Sequence, residues 1–271
     1  MTDAQKLAVA QDMLDAWTKL DWERVYELFG DDGVLHSMMV EPAIGGNAIR
    51  DRLALFEDGL TRMDFSILRM GVLNDEVVVE RIDSLDFNGN AMDLPVIGVM
   101  KIENGRVKEW REYFDLNWQR IGMGAKGKPP HTLAPLDTVI EGQEMSDEAK
   151  LAVAQAMLDA YEARDWEGAA SLIADDGLIH YVEEEAMLGS EAMRTHLQRI
   201  GPALTRVEFK MRSMGVIDGA VMIERIDEFD FKGHTAATPV YGTMEIADNK
   251  IKVWREYFDQ QQMLRGMGLA G

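Results

Sequence analysis

The chain has 271 residues, with 28 Lys plus Arg against 48 Asp plus Glu, a formal net charge of −20; binding to nucleic acid or to an anionic membrane surface, which needs clustered cations, is not expected. It has no cysteine, so disulfides, thiolate nucleophiles and Cys-held metals are excluded, and its five scattered His form no ligand pattern, so neither a metal nor a cofactor is expected. The start, MTDAQKLAVAQD, lacks the basic and long apolar regions of a signal peptide, and no window reaches the ~18 apolar residues of a membrane span, so a soluble cytoplasmic protein is expected.

Ala4 to Leu20 carries apolar residues at helical spacing (Leu7, Ala8, Met13, Leu14, Trp17). Asp21 is placed to cap a second helix, WERVYELF. After the turn Asp31-Asp32-Gly33 comes a strand, VLHSMM, and then a third helix, AIRDRLALFEDG, with Asn47 as its candidate cap. Four extended stretches follow, at 63–73, 76–87, 92–103 and 106–118, with Asn74-Asp75 and Asn104-Gly105 as hairpin turns. Residues 122–146, rich in Gly, Pro and Lys, break both periodicities and read as a linker. Its apolar residues Leu133, Leu136, Val139 and Ile140 suggest that it lies against a domain.

The order then begins again. KLAVAQDMLDA at Lys6 returns as KLAVAQAMLDA at Lys150, ERID at Glu80 returns at Glu224, and WREYFD at Trp110 returns at Trp254, all 144 residues on. Some 50 of 110 gapless pairs are identical, which is a duplication. We therefore expect two domains of one fold, 1–121 and 147–271, joined by 122–146. Helices followed by a run of strands is the α+β pattern. If the sheet curls around its helices, the space enclosed is a pocket.

The strand at 76–87 places Val77, Val79, Arg81, Asp83 and Leu85 on one face, because side chains alternate. Charges on an apolar face cost several kcal/mol unless paired. In the last strand Arg111, Tyr113 and Asp115 share a face, opposite Trp110, Glu112 and Phe114. The repeat supplies Arg225, Asp227, Arg255, Tyr257 and Asp259 at the same places. A buried Asp–Arg–Asp set in each half can satisfy itself by hydrogen bonding. The alternative is an ordinary structural ion pair.

With ERID, GVM and WREYFD in place, most of both halves resembles the limonene-1,2-epoxide hydrolase family, of the nuclear transport factor 2-like superfamily that also holds the SnoaL-like polyketide cyclases. The resemblance implies two cone-shaped α+β domains, each a curved mixed or antiparallel sheet wrapped around N-terminal helices with an apolar pocket. It implies that Asp83 or Asp227 is the general acid to an epoxide oxygen, that Arg81 or Arg225 bridges two carboxylates, and that Asp115 or Asp259 is the base for water. The family's water-holding Tyr and Asn fall here on Leu35 and Ser37, and on Ile179 and Tyr181, so neither half keeps that pair. Ser37, Ile97 and Tyr113, with Tyr181, Tyr241 and Tyr257, are the candidate substrate-binding positions. The expected activity is cofactor-independent acid–base opening of a C–O bond in a hydrophobic oxygenated small molecule, by an epoxide hydrolase or cyclase. Alternatives are a cofactorless lyase that dehydrates and releases formaldehyde, as the diarylpropane lyases do, an isomerase, or a non-catalytic binding protein. The halves are expected to pack as a pseudo-dimer.

Overall fold

A computed structural model describes residues 1–126, 142–181 and 184–269. The expectation that the linker's apolar residues lie against a domain concerns positions outside that set. The chain divides into two compact units, Met1–Pro129 and Pro130–Gly271, each an α+β domain.

The first unit runs α1 (Asp3–Thr18), α2 (Trp22–Phe29), β1 (Val34–Ser37), β2 (Ala43–Ile44), α3 (Gly46–Glu57), β3 (Leu60–Leu73), β4 (Glu76–Phe87), β5 (Asn90–Glu103), β6 (Arg106–Tyr113) and α4 (Leu116–Gly122). The second runs α5 (Asp147–Ala163), α6 (Trp166–Ser171), β7 (Ile173–Tyr181), β8 (Met187–Leu188), α7 (Gly189–Ile200), a 3₁₀ turn at Gly201–Ala203, β9 (Leu204–Ile217), β10 (Ala220–Phe231), β11 (His234–Ala247), β12 (Lys250–Tyr257) and α8 (Gln260–Gly266). Each sheet is open and six-stranded, in the orders β2-β1-β6-β5-β4-β3 and β8-β7-β12-β11-β10-β9. β1 runs parallel to β6 and β7 parallel to β12; the other pairings are antiparallel.

Local chemistry sets these elements. Thr2 and Gln5 form a capping box for α1, and Asp21 caps α2 by accepting the Arg24 N–H. Gly45, not Asn47, precedes α3. Asn74-Asp75 and Asn104-Gly105 all take positive φ, as two-residue hairpin turns between right-twisted strands require. Lys6 reaches from α1 to the Asp75 carbonyl (2.9 Å), and Lys150 from α5 to the Gly219 carbonyl (2.8 Å), so each first helix is fastened to a hairpin tip. In the second domain Ala154, Met157, Ala169, Ala170, Met193 and Leu197 of the helices pack on Val221, Ile223, Met244 and Trp254 of the sheet. The helices therefore cover the face that also carries Arg225 and Asp227. No helix among the described residues is long and apolar enough to cross a membrane.

Candidate active site

Arg81 is almost wholly buried (1% exposed) on the helix-covered face of β4. Its Nε donates to Asp83 Oδ1 (2.7 Å) and its Nη2 to Asp83 Oδ2 (3.1 Å). The same Nη2 donates to Glu112 Oε1 at 2.6 Å. The second domain repeats this. Arg225 Nε lies 2.7 Å from Asp227 Oδ1, and its Nη2 donates to Asp227 Oδ2 (3.2 Å) and Glu256 Oε2 (2.5 Å). One planar guanidinium thus serves two carboxylates in each domain, a geometry that suits Arg and not Lys.

The carboxylates that share the guanidinium are not the pairs expected. Glu112 and Glu256 take the second place, and Asp115 and Asp259 do not bond to the arginines. Asp115 Oδ1 accepts the Trp118 N–H (2.6 Å) as the N-cap of α4, and Asp259 Oδ1 accepts the Gln262 N–H (2.5 Å) as the N-cap of α8. The strand expected to reach residue 118 therefore stops at Tyr113, and a helix begins. The reason for the exchange is a β-bulge. The Asn104-Gly105 turn pairs Glu103 with Arg106 and Ile102 with Val107, but the next pair is Lys101 with Glu109, so Lys108 is an extra residue. Beyond it, Gly98 stands opposite Glu112; without it, Gly98 would stand opposite Arg111. Lys252 is the matching extra residue in β12, and Gly242 stands opposite Glu256. The bulge turns Trp110 and Glu112 inward and Arg111 and Tyr113 outward.

Gly98 also leaves the gap through which the guanidinium crosses β5. A Cβ there would come within 2.6 Å of Arg81 Nη1 and 2.8 Å of Trp110 Nε1. At Gly242 it would come within 2.7 Å of both Arg225 Nη1 and Glu256 Oε1. Aromatic rings flank the cation: Phe65 and Trp110 centroids lie 5.3 and 5.6 Å from Arg81 Cζ, and Phe209 lies 5.1 Å from Arg225 Cζ.

In the second domain this set lines an apolar cavity of about 270 Å³. Phe209, Phe229, Phe231, Trp254 and Phe258 line it together with Arg225, Asp227 and Glu256, and Glu184, His196, Arg199 and Gln260 add further polar groups to the lining. Of the expected substrate-binding residues, Tyr181 lines it. Ser37, its counterpart, is paired across the sheet with Glu112. Ile97, Tyr113, Tyr241 and Tyr257 are buried on the opposite face: Ile97 pairs with Tyr113, and Tyr241 with Tyr257, one residue out of step with Gly98 and Gly242. Tyr161, on α5, lines the cavity and was not singled out by sequence.

Burial pushes the Asp83 carboxyl up to about 6, against the pull of Arg81 and with a further push from Glu112. Asp227 is pushed up to about 6 for the same reasons, burial first, with Arg225 opposing and Glu256 adding. Burial would lower Arg225, but Asp227 and Glu256 outweigh it and its pKa is raised. The arrangement therefore offers a carboxyl that holds its proton up to a pH of about 6, beside a second carboxylate and a fixed cation. Among the described residues no group of three or more His, Asp or Glu is placed to hold a metal ion.

Residues 148–268 match the family described as limonene-1,2-epoxide hydrolase catalytic domain, and residues 10–110 match the SnoaL-like domain family. The two matches lie in tandem, the SnoaL-like one within the first domain and the limonene-1,2-epoxide hydrolase one within the second. Epoxide hydrolase EphG of Mycobacterium tuberculosis is 27% identical over 113 residues, which span 42% of this chain and 75% of that protein. A solved M. tuberculosis LEH-like epoxide hydrolase is 26% identical, covering 45% of this chain and 90% of its own, with a TM-score of 0.41. An ntf2-like protein from Burkholderia pseudomallei, 15% identical, covers 46% of this chain and 100% of its own at a TM-score of 0.41.

Proposed function

We propose that this protein is a cofactor-independent acid–base enzyme that opens an epoxide C–O bond in an apolar small molecule, and that its second domain carries the reaction. The observation that supports this reading is the buried Arg225 shared by Asp227 and Glu256 in the lining of a largely apolar cavity. Asp227, with its raised pKa, gives a proton to the epoxide oxygen as the C–O bond breaks. Glu256 takes a proton from the attacking oxygen as the new C–O bond forms. Glu256 is oriented for this by two donors, Arg225 Nη2 and the indole Nε1 of Trp254. Arg225 stays charged throughout and keeps the two carboxyl groups from drifting apart. With water as the nucleophile the product is a vicinal diol, and exchange with solvent resets the two protons.

The test is incubation of the full chain with limonene-1,2-epoxide and styrene oxide in H₂¹⁸O, with products read by mass spectrometry. A diol carrying one ¹⁸O supports hydrolysis. A cyclic ether from a hydroxy-epoxide substrate, without ¹⁸O, moves the assignment to a cyclase. No conversion of any epoxide overturns it.

A further inference from the structure

The cavity of the second domain is lined by two arginines with different partners. Arg225 is 2% exposed and is shared by Asp227 and Glu256. Arg199, on α7, is exposed, and among the described residues no carboxylate pairs with it. Its Nη2 lies 3.2 Å from Nδ1 of His196, three residues earlier on the helix. A guanidinium cannot accept, so it donates there, and the ring proton of His196 is on Nε2. Burial first and Arg199 next lower the His196 pKa, with Glu184 opposing, so the ring stays neutral and Nδ1 stays an acceptor. The His196 ring packs 5.8 Å from that of Tyr181. Glu184, also exposed and in the lining, has Oε1 bonded by Gln260 Nε2 at 2.9 Å. Solvent reaches Arg199 and Glu184 but barely reaches Arg225 and Glu256, so the first pair stands at the opening and the second at depth. In the first domain the places of Glu184, His196, Arg199 and Gln260 hold Val40, Arg52, Leu55 and Leu116. Leu55 is 69% exposed, so the fold itself asks for no cation at that position. Arg199 is a feature of the second domain alone, held by a histidine, with donors still unspent.

We propose that Arg199, with the Nε2–H of His196, binds a carboxylate at the opening of the cavity, so that the substrate is an epoxide whose apolar body ends in an acid. The proposal rests on the epoxide-opening reading above and names the substrate class of that same site. The guanidinium N–H groups not spent on His196 can take a carboxylate side-on, and charge-assisted bonds of this kind are the stronger sort. Phe209, Phe229, Phe231 and Phe258 supply apolar surface for the body. The acid also sets the direction of entry. At depth Arg225 is already shared by Asp227 and Glu256, so a further carboxylate there meets like charge. The epoxide end therefore enters first and the acid stays at Arg199. The opposite reading, an ammonium on Glu184, is weaker: one oxygen of that carboxylate is already bonded, whereas Arg199 and His196 offer donors from one helix.

The test is calorimetric binding to the full chain of 4-phenylbutanoate and 8-phenyloctanoate, each beside its methyl ester and the matching phenylalkylamine, in the wild type, Arg199→Gln and Arg199→Lys. At low salt at least one acid should bind about 10-fold tighter than its ester. The gap should narrow as ionic strength rises, because Arg199 is exposed. Arg199→Gln should bring acid and ester to the same Kd, Arg199→Lys should restore part of the gap, and Tm should hold in both. With 4-(4-oxiranylphenyl)butanoate, KM should be about 10-fold below that of its methyl ester at similar kcat, because the acid lies away from the reacting atoms; Arg199→Gln should erase that difference. Equal Kd for acid and ester at both lengths in the wild type, a preference that survives Arg199→Gln, or an amine bound tighter than the acid overturns the proposal. If the acids bind as expected but no epoxide is converted, the carboxylate subsite stands and the assigned reaction falls.

Discussion

In the first domain Arg81 joins Asp83 and Glu112 beside Trp110, whose ring meets that of Trp17, and the Nε1 atoms of both indoles are unsatisfied. In the second, Arg225 joins Asp227 and Glu256 beneath Tyr161 and Trp254, and the Trp254 indole donates to Glu256. The cation, its two carboxylates, the glycine gap and the bulged strand are common to both. What differs is the roof of the site and its hydroxyl groups. A duplication can keep an expensive buried ion set intact because breaking one member costs about 3–5 kcal/mol, while residues around it change with little penalty to folding. The comparison therefore locates the freedom to acquire or lose chemistry in the helix-borne and β1/β7 positions, not in the strand-borne charges.

The largest effect expected concerns Glu256. Glu256→Gln keeps the shape and removes the base, so kcat should fall by about 10²–10⁴-fold, the usual range for a general base. Glu112→Gln should leave most of the turnover in place. Equal losses from the two would break the asymmetry between domains, and both rates are read in one steady-state assay. Arg225→Lys should approach the Glu256→Gln defect, since a point charge cannot bridge two carboxylates as the planar fork does.

Next in size are the glycines. Gly98→Ala and Gly242→Ala force a methyl into the path of the guanidinium. Each should destabilise its own domain by about 1–3 kcal/mol in denaturant titration, the range for overpacking, and Gly242→Ala should also slow turnover. A Gly242→Ala variant of unchanged stability would show that the arginine has another route across β11.

A smaller effect follows from the acid. A carboxyl whose folded pKa is raised from 3.8 to about 6 holds its proton more tightly folded than unfolded. Its contribution to stability is fully present below pH 3.8 and is lost as the pH rises through about 6. Asp83→Asn and Asp227→Asn should each flatten that part of the profile of stability against pH. kcat/KM should fall above pH of about 6 as Asp227 loses its proton, and the Asp83 variant should leave that limb unmoved.

The smallest effect separates the caps from the chemistry. Asp115→Ala and Asp259→Ala should each cost about 1 kcal/mol, a lost helix N-cap, and lower Tm by a few degrees. The rate per folded molecule should hold. A loss of 100-fold or more in kcat from Asp259→Ala would return to Asp259 the role of base.

The sequence by itself determined the duplication, the α+β order, the two-residue turns and the inward face of β4. These rest on local signals: spacing of apolar residues, capping Asp21, the Asn and Gly of the hairpins, and the alternation that puts Arg81 beside Asp83. Tertiary structure alone decided which face of WREYFD meets the arginine. Alternation holds within an unbroken strand, and one extra residue, Lys108 or Lys252, reverses it. Nothing local marks that residue. The only trace was indirect: a glycine in the middle of β5 and of β11, where a strand gains nothing from glycine unless another group must pass over it. Asp115 and Asp259 looked equivalent to Glu112 and Glu256 as carboxylates, and only the fold made them helix caps. Tyr161 was equally hidden, because an aromatic residue on a core-facing helix looks like packing until it is found lining the cavity. The ion set follows from charges that must be satisfied once buried, whereas its membership follows from register, which long-range pairing sets.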